Sequence, residues 1–236
     1  MVKLIKTNKS EVAIKVVSII KKSIKEVSKN KDYITLAIPG GRSVVPIFKL
    51  LKQDKRISWK KIHIFMVDER LVPINHKDSN FKLAKDLFIG SLLKSGRLPE
   101  ENVHPFIFKP GKDKGTKIYE KELKGYKSRY DIVLLSSGED GHIGALYPNH
   151  DSINNNAKYF ITMKNSPKPP KNRMSMSKNL LLRSKVSILL LASNAKKQAY
   201  LDFLNNDVKI IKCPCKLVQK IPKSYGKYNE RGARNK

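Results

Sequence analysis

Cysteine is nearly missing from this 236-residue chain: there are two, Cys213 and Cys215, separated only by Pro214. That spacing is too short for an ordinary structural disulfide, and two cysteines are too few to staple a small secreted scaffold. Long hydrophobic runs are lacking too, since no stretch approaches the roughly 20 apolar residues a bilayer-spanning helix needs. The opening MVKLIKTNKS has neither a long apolar core nor a small-residue cleavage site, so no secretory signal is expected. The glycine pattern G-x-G-x-x-G and the P-loop Gly-Lys-Ser/Thr are absent, which leaves dinucleotide and nucleoside-triphosphate cofactors without support. A Gly-x-Ser-x-Gly elbow is also absent, which argues against a serine esterase. These gaps point to a soluble, cytoplasmic protein with no membrane partner and no cofactor.

Negative charge is the other shortage. Lys and Arg number 49 against 20 Asp and Glu, a formal net charge of +29. Such a field attracts any polyanion. Yet only nine of the 49 are arginine, the residue whose fork reads base edges, and the lysines are spread along the whole chain. The excess therefore reads as a biased, solvated surface, with nucleic acid held by non-specific attraction at most.

What is present is an alternation of helical and strand patterns, with 40% apolar residues to build a core. A helix is expected over residues 8–28, where Val12, Val16, Ile19, Ile20, Ile24 and Val27 recur at helical spacing behind Asn8 and Glu11. Short β-branched runs at 33–38, 62–67, 131–135 and 186–192 read as buried strands, with 159–163 weaker. Helices are expected around 46–51, 79–88, 116–123 and 194–204. Strands that are apolar throughout and alternate with helices indicate one α/β domain with a mostly parallel sheet covered on both faces. That domain is expected over residues 1–221, with 222–236 a basic, flexible tail. Oligomeric state is open between a monomer and a small homo-oligomer.

Parallel sheets place ligands beyond the carboxyl ends of their strands. Three polar clusters fall there: Gly40-Gly41-Arg42-Ser43, Asp68-Glu69-Arg70, and Glu139-Asp140-Gly141-His142. The first is suited to an anion, because glycines let backbone N–H groups approach it and a helix N-terminus follows. In the second, Arg70 could grip a phosphate or an oxyanion and Asp68 could orient a base. In the third, His142 is the candidate base, placed where a helix is expected to begin and so kept neutral. His63, His76, His104 and His150 stand in less suggestive places. No His or Cys pair has metal-ligand spacing, so no metal site is expected.

Five blocks then resemble the 6-phosphogluconolactonases, a branch of the glucosamine-6-phosphate isomerase/6-phosphogluconolactonase family. They are Ile38-Pro39-Gly40-Gly41-Arg42-Ser43; Val67-Asp68-Glu69-Arg70-Leu71-Val72-Pro73 with Asp78-Ser79-Asn80; and Gly138-Glu139-Asp140-Gly141-His142 with Leu146-Tyr147-Pro148. Pro167-Lys168-Pro169-Pro170 with Arg173-Met174-Ser175-Met176-Ser177, and Ala195-Lys196-Lys197, complete the set. The resemblance implies a Rossmann-like fold shared with sugar-phosphate isomerases, and hydrolysis of 6-phospho-D-glucono-1,5-lactone in the pentose phosphate pathway. It also implies His142 as the base that activates water, oriented by Asp140 or Asp68. Arg70 and Lys168 would stabilise charge or hold the ring, and Gly40, Gly41, Arg42, Ser43, Arg173 and Lys196 would bind the phosphate. The related deaminases of glucosamine 6-phosphate carry Asp-Glu-Tyr where Arg70 stands and a glutamate where Tyr147 stands, so both residues favour the lactonase. Val44, Ser136, Ala145 and Cys215 depart from the usual lactonase pattern.

Overall fold

A computed structural model describes residues 2–191 and 193–229. The chain opens with β1 (Val2–Thr7), α1 (Val12–Val27), β2 (Ile34–Ile38) and α2 (Val45–Gln53). Next come β3 (Ile62–Met66), β4 (Asp68–Arg70), α3 (Asn80–Ala84) and α4 (Gly90–Lys94). A π-helical turn, Lys85–Ile89, joins α3 to α4, so the helix expected to end near residue 88 runs on to Lys94. The middle of the chain holds β5 (Val103–His104), α5 (Thr116–Lys124), β6 (Ile132–Ser136), α6 (Asp151–Asn154), β7 (Phe160–Met163) and β8 (Arg173–Met176). It closes with α7 (Lys178–Leu182), β9 (Val186–Leu191), α8 (Lys197–Leu204) and β10 (Lys223–Asn229).

Seven strands form one sheet in the order β1-β10-β9-β6-β2-β3-β5, parallel at each pairing. The reason lies in the strands themselves. Alternate residues feed two separate cores: Ala37, Val133, Leu135 and Leu189 pack on one face. Leu36, Ile38, Ile132, Leu134 and Ile188 pack on the other, with Val16 and Ile20 of α1. A strand buried on both faces is apolar at nearly every position, the exceptions here being Thr35 and Ser187, whose hydroxyls are hydrogen-bonded, and such strands make parallel sheets between helical layers. The weaker strand, β7, joins a separate antiparallel sheet, β4-β8-β7, which stands beyond the carboxyl end of β3.

Two expectations need correction here. Residues 223–229 are no tail: they form β10, inserted between β1 and β9, with Ser224, Tyr225 and Lys227 buried. Only 230–236 of the expected tail remain, and they lie outside the described residues. Strand β1 was not anticipated either, because its partner looked unstructured. From β2 the chain builds outward through β3 to β5, then returns to β6 on the other side of β2. The reversal between β2 and β6 opens a crevice at their carboxyl ends, where open parallel sheets bind ligands.

Candidate active site

A cavity of about 150 Å³ occupies that crevice. Its walls are Pro39, Gly40 and Gly41 after β2, Asp68 and Arg70 of β4, Asn80, Ser136 and Ser137 after β6, His142, Gly144, and Arg173 of β8. All three polar clusters of the sequence thus meet in one place. A larger hollow of about 590 Å³ lies between α1 and α2, lined by Ile14, Leu50, Asp54 and Arg56 among others, but its carboxylate is already paired with Lys21 and Arg56.

No helix begins at His142. The chain instead folds tightly: the Gly138 N–H donates to the His142 carbonyl at 2.8 Å, and Ile143 bridges to both Ser137 and Leu146. Gly141 at φ +84° and Gly144 at φ +56° supply conformations that interrupt a helix and favour glycine. Gly138 is required for another reason, since a Cβ there would run into the His142 ring and the Asp140 carboxylate. The turn brings His142 Nδ1 within 2.5 Å of Asp140 Oδ1. The imidazole is therefore oriented by a carboxylate rather than by a helix end. Burial raises the Asp140 carboxyl, but the hydrogen bonds and charge of His142 outweigh it and hold the group at about 2. Tyr147 packs on the same ring with centroids 4.7 Å apart, and its hydroxyl accepts a hydrogen bond from Ser166 at 3.0 Å.

The carboxylates of Asp68-Glu69-Arg70 take different roles. Glu69, 3% exposed, accepts from the backbone N–H groups of Asn80 and Phe81 at 2.7 and 2.8 Å and from the Ser79 hydroxyl, so it ties β4 to the start of α3. Asp68 faces the cavity, with Asn80 Nδ2 at 3.2 Å from its carboxylate and Arg173 Nη1 at 3.9 Å. Arg70 donates through Nη1 to the Asp78 carbonyl, while its buried Nε has no partner.

The cations differ in freedom. Arg173 spends Nε and Nη2 on the carbonyls of Pro170, Pro169 and Lys168, at 3.0, 2.9 and 3.3 Å, so it fastens the 166–171 loop as well as lining the cavity. That loop brings the half-buried Lys168 close enough for its charge to act on Asp140 and Lys196. Lys196, 7% exposed, donates to Ser136 and Ser43 at 3.0 and 3.1 Å and so joins the first turn to the end of β6. Burial pulls its ammonium down to about 8 against the opposing charge of Glu139. Gly41, at φ +90°, shapes the turn, and Arg42 and Ser43 are exposed at its outer side.

Asn80 was not among the expected site residues. Its carboxamide fills the space where a Gly40 side chain would lie, which gives Gly40 a packing role besides any approach to an anion. Among the expected residues, Arg42, Ser43, Asp140, Lys168 and Lys196 stand around the cavity rather than in its wall. The other histidines lie apart from it: His63 contacts His104 at 3.0 Å near the far end of the sheet, and His150 caps α6. Cys213 and Cys215 are free, buried and 3.4 Å apart, and Cys215 supports the turn by donating its N–H to the Gly141 carbonyl at 2.9 Å. Among the described residues, no group of three or more His, Cys, Asp and Glu is arranged to hold a metal.

The family described as glucosamine-6-phosphate isomerases/6-phosphogluconolactonase matches residues 7–225. The chain is 33% identical over 200 residues to the 6-phosphogluconolactonase of Borreliella burgdorferi, covering 83% of each protein. Its fold superposes on a 6-phosphogluconolactonase from Thermotoga maritima with a TM-score of 0.86 at 22% identity, covering 97% of this chain and 100% of that one. The enzyme of that name from Trypanosoma cruzi gives 0.85 at 20% identity, covering 100% and 97%. On the match along nearly its whole length, the chain belongs to the glucosamine-6-phosphate isomerase/6-phosphogluconolactonase family.

Proposed function

We propose that this protein is a 6-phosphogluconolactonase, hydrolysing 6-phospho-D-glucono-1,5-lactone to 6-phospho-D-gluconate. The observation that carries the reading is His142 on the wall of a cavity, held 2.5 Å from Asp140 behind it, with a guanidinium in the same wall and a buried ammonium at the edge. With Nδ1 engaged by Asp140, the remaining nitrogen, Nε2, takes a proton from water as that water attacks C1 of the lactone. Asp140 stays ionised and steadies the imidazolium that forms. The Arg70 guanidinium, on the cavity wall, serves the negative charge that develops on the carbonyl oxygen. As the tetrahedral intermediate collapses, the imidazolium returns the proton to the departing ring oxygen, and the new carboxylic acid releases its own proton to solvent and leaves as a carboxylate.

The phosphate end lies toward Lys196, Ser43 and Arg42, where remote binding energy orients the ring. Lys168, held by the Arg173-fastened loop, adds positive charge over the mouth. The deaminase reading is weaker here, because the position of its ring-opening glutamate is taken by Tyr147, a buried phenol against the His142 ring. The test is a coupled assay in which a glucose-6-phosphate dehydrogenase generates the short-lived lactone, with ammonia release from glucosamine 6-phosphate measured beside it. Accelerated lactone hydrolysis without ammonia supports the proposal, and ammonia alone overturns it.

A further inference from the structure

The His142 ring is held by neighbours of two kinds. Along its Cε1–Nδ1 edge Gly138 passes so close that a Cβ there would collide with both atoms. Against the ring lies the phenol of Tyr147, 1% exposed, with centroids 4.7 Å apart and planes tilted by 45°. Tyr147 is itself anchored: its N–H donates to Ser152 Oγ at 3.0 Å, and the His150 ring stands nearly perpendicular to its own. The terminal torsion of a histidine side chain is broad, so one hydrogen bond from Nδ1 to Asp140 leaves the imidazole free to swing about that bond. An aromatic wall packed on the ring removes this freedom and keeps Nε2 on the cavity.

The far end of the same side chain acts elsewhere. The Tyr147 hydroxyl takes a hydrogen bond from Ser166 at 3.0 Å. The Ser166 oxygen accepts in turn from the Lys168 N–H at 3.3 Å, and the Ser166 N–H donates to the Lys171 carbonyl at 3.1 Å. Ser166, 2% exposed, is thus the root of the loop whose Lys168 charge reaches Asp140 and Lys196. Tyr147 does not line the cavity, yet it touches both the base and the root of the loop that carries a cation to the mouth. We infer that Tyr147 is a positioning residue with two separable duties: its ring sets the plane of the His142 imidazole, and its hydroxyl, through Ser166, sets the place of Lys168. The first duty acts on turnover and the second on capture of an anionic substrate. The inference rests on the lactonase reading above.

The test separates the duties by kinetics on lactone generated in the coupled assay. Tyr147→Phe keeps the ring and removes the hydroxyl, so KM should rise about three- to tenfold, the worth of one hydrogen bond, while kcat falls by less than about twofold. Ser166→Ala should give the same rise, and the double variant no more than either alone. With Lys168→Ala already in place, Tyr147→Phe should leave KM where it is, because the cation it positions is gone. Tyr147→Leu removes the aromatic face, and kcat per folded molecule should fall about ten- to a hundredfold below that of Tyr147→Phe. The His142 Cε1–H resonance, displaced by the ring current in the wild type and in Tyr147→Phe, should move toward its free value in Tyr147→Leu. Tyr147→Met, closer in volume, replaces Tyr147→Leu if the latter does not fold. With an active wild type, an unchanged KM in Tyr147→Phe, or a rise that persists without Lys168, overturns the hydroxyl's duty. Tyr147→Leu or Tyr147→Met turning over at the Tyr147→Phe rate overturns the ring's. A wild type inactive on the lactone overturns the lactonase reading and this inference with it.

Discussion

Two buried carboxylate clusters sit at opposite ends of the central strands, and they are finished differently. At the amino end, Asp131 is fully buried and accepts from Lys31 Nζ at 2.7 and 2.9 Å, from the Thr35 N–H at 3.1 Å and from the Thr35 hydroxyl at 3.2 Å. A second lysine, Lys185, stands 3.7 Å away. Both of its oxygens are taken. At the carboxyl end, Asp68, Asn80 and Arg70 are just as polar and nearly as buried, but they line a cavity. Burial and charge density are common to both clusters. A cavity beside the charged groups is what separates a binding site from a structural tie.

The comparison can be broken in order of expected effect. His142→Ala, at the open end, should lower kcat by about 10² to 10⁴-fold, the range for a positioned general base, with the thermal midpoint little changed. If lactonase activity survives intact, His142 is not the base. Asp131→Ala, at the closed end, should do the reverse. It strands Lys31, whose side chain is 6% exposed, and should cost about 3–5 kcal/mol of stability in urea unfolding while kcat per folded molecule holds. A catalytic loss without a stability loss would erase the distinction between the two ends.

A pH titration sharpens it further. The Lys196 ammonium, lowered to about 8 by burial, is charged below that pH and neutral above it. Affinity for 6-phosphogluconate, followed by calorimetry, should weaken by roughly tenfold as pH rises through this range, the worth of a charge-assisted hydrogen bond. Lys196→Arg, charged throughout, should flatten the curve; an unchanged slope would remove Lys196 from the phosphate's surroundings. The smallest effect belongs to Arg42→Ala. An exposed cation is well screened, so KM should rise only about two- to fivefold at low salt and less at high salt.

The sequence made the sheet legible because its central strands are apolar at nearly every position, a pattern that parallel strands between helices require. It also made the rim legible, because polar residues follow those strands abruptly. What it hid has physical causes. Residues 223–229, KSYGKYN, look like a basic tail, and only the neighbouring strands reveal that Tyr225 and Lys227 are covered. The conformation around His142 turns on glycines with positive φ, which leave no periodic signal. The choice between Asp140 and Asp68 as its neighbour depends on that turn and is invisible from spacing. Asn80 reads as an ordinary residue after the cap of a short helix, and its importance emerges only when the fold lays Gly40 against it.

The position of β10 also sets a schedule for synthesis. Strand β1 leaves the ribosome first, yet its neighbour in the sheet is β10, the last strand of the described chain. Until residues 223–229 clear the exit tunnel, β1 has no strand to bond to and β9 keeps a bare edge. Every nascent copy therefore carries β1 without its partner for most of its translation, joined near the end by the bare edge of β9, the kind of surface that neighbouring chains and chaperones seize.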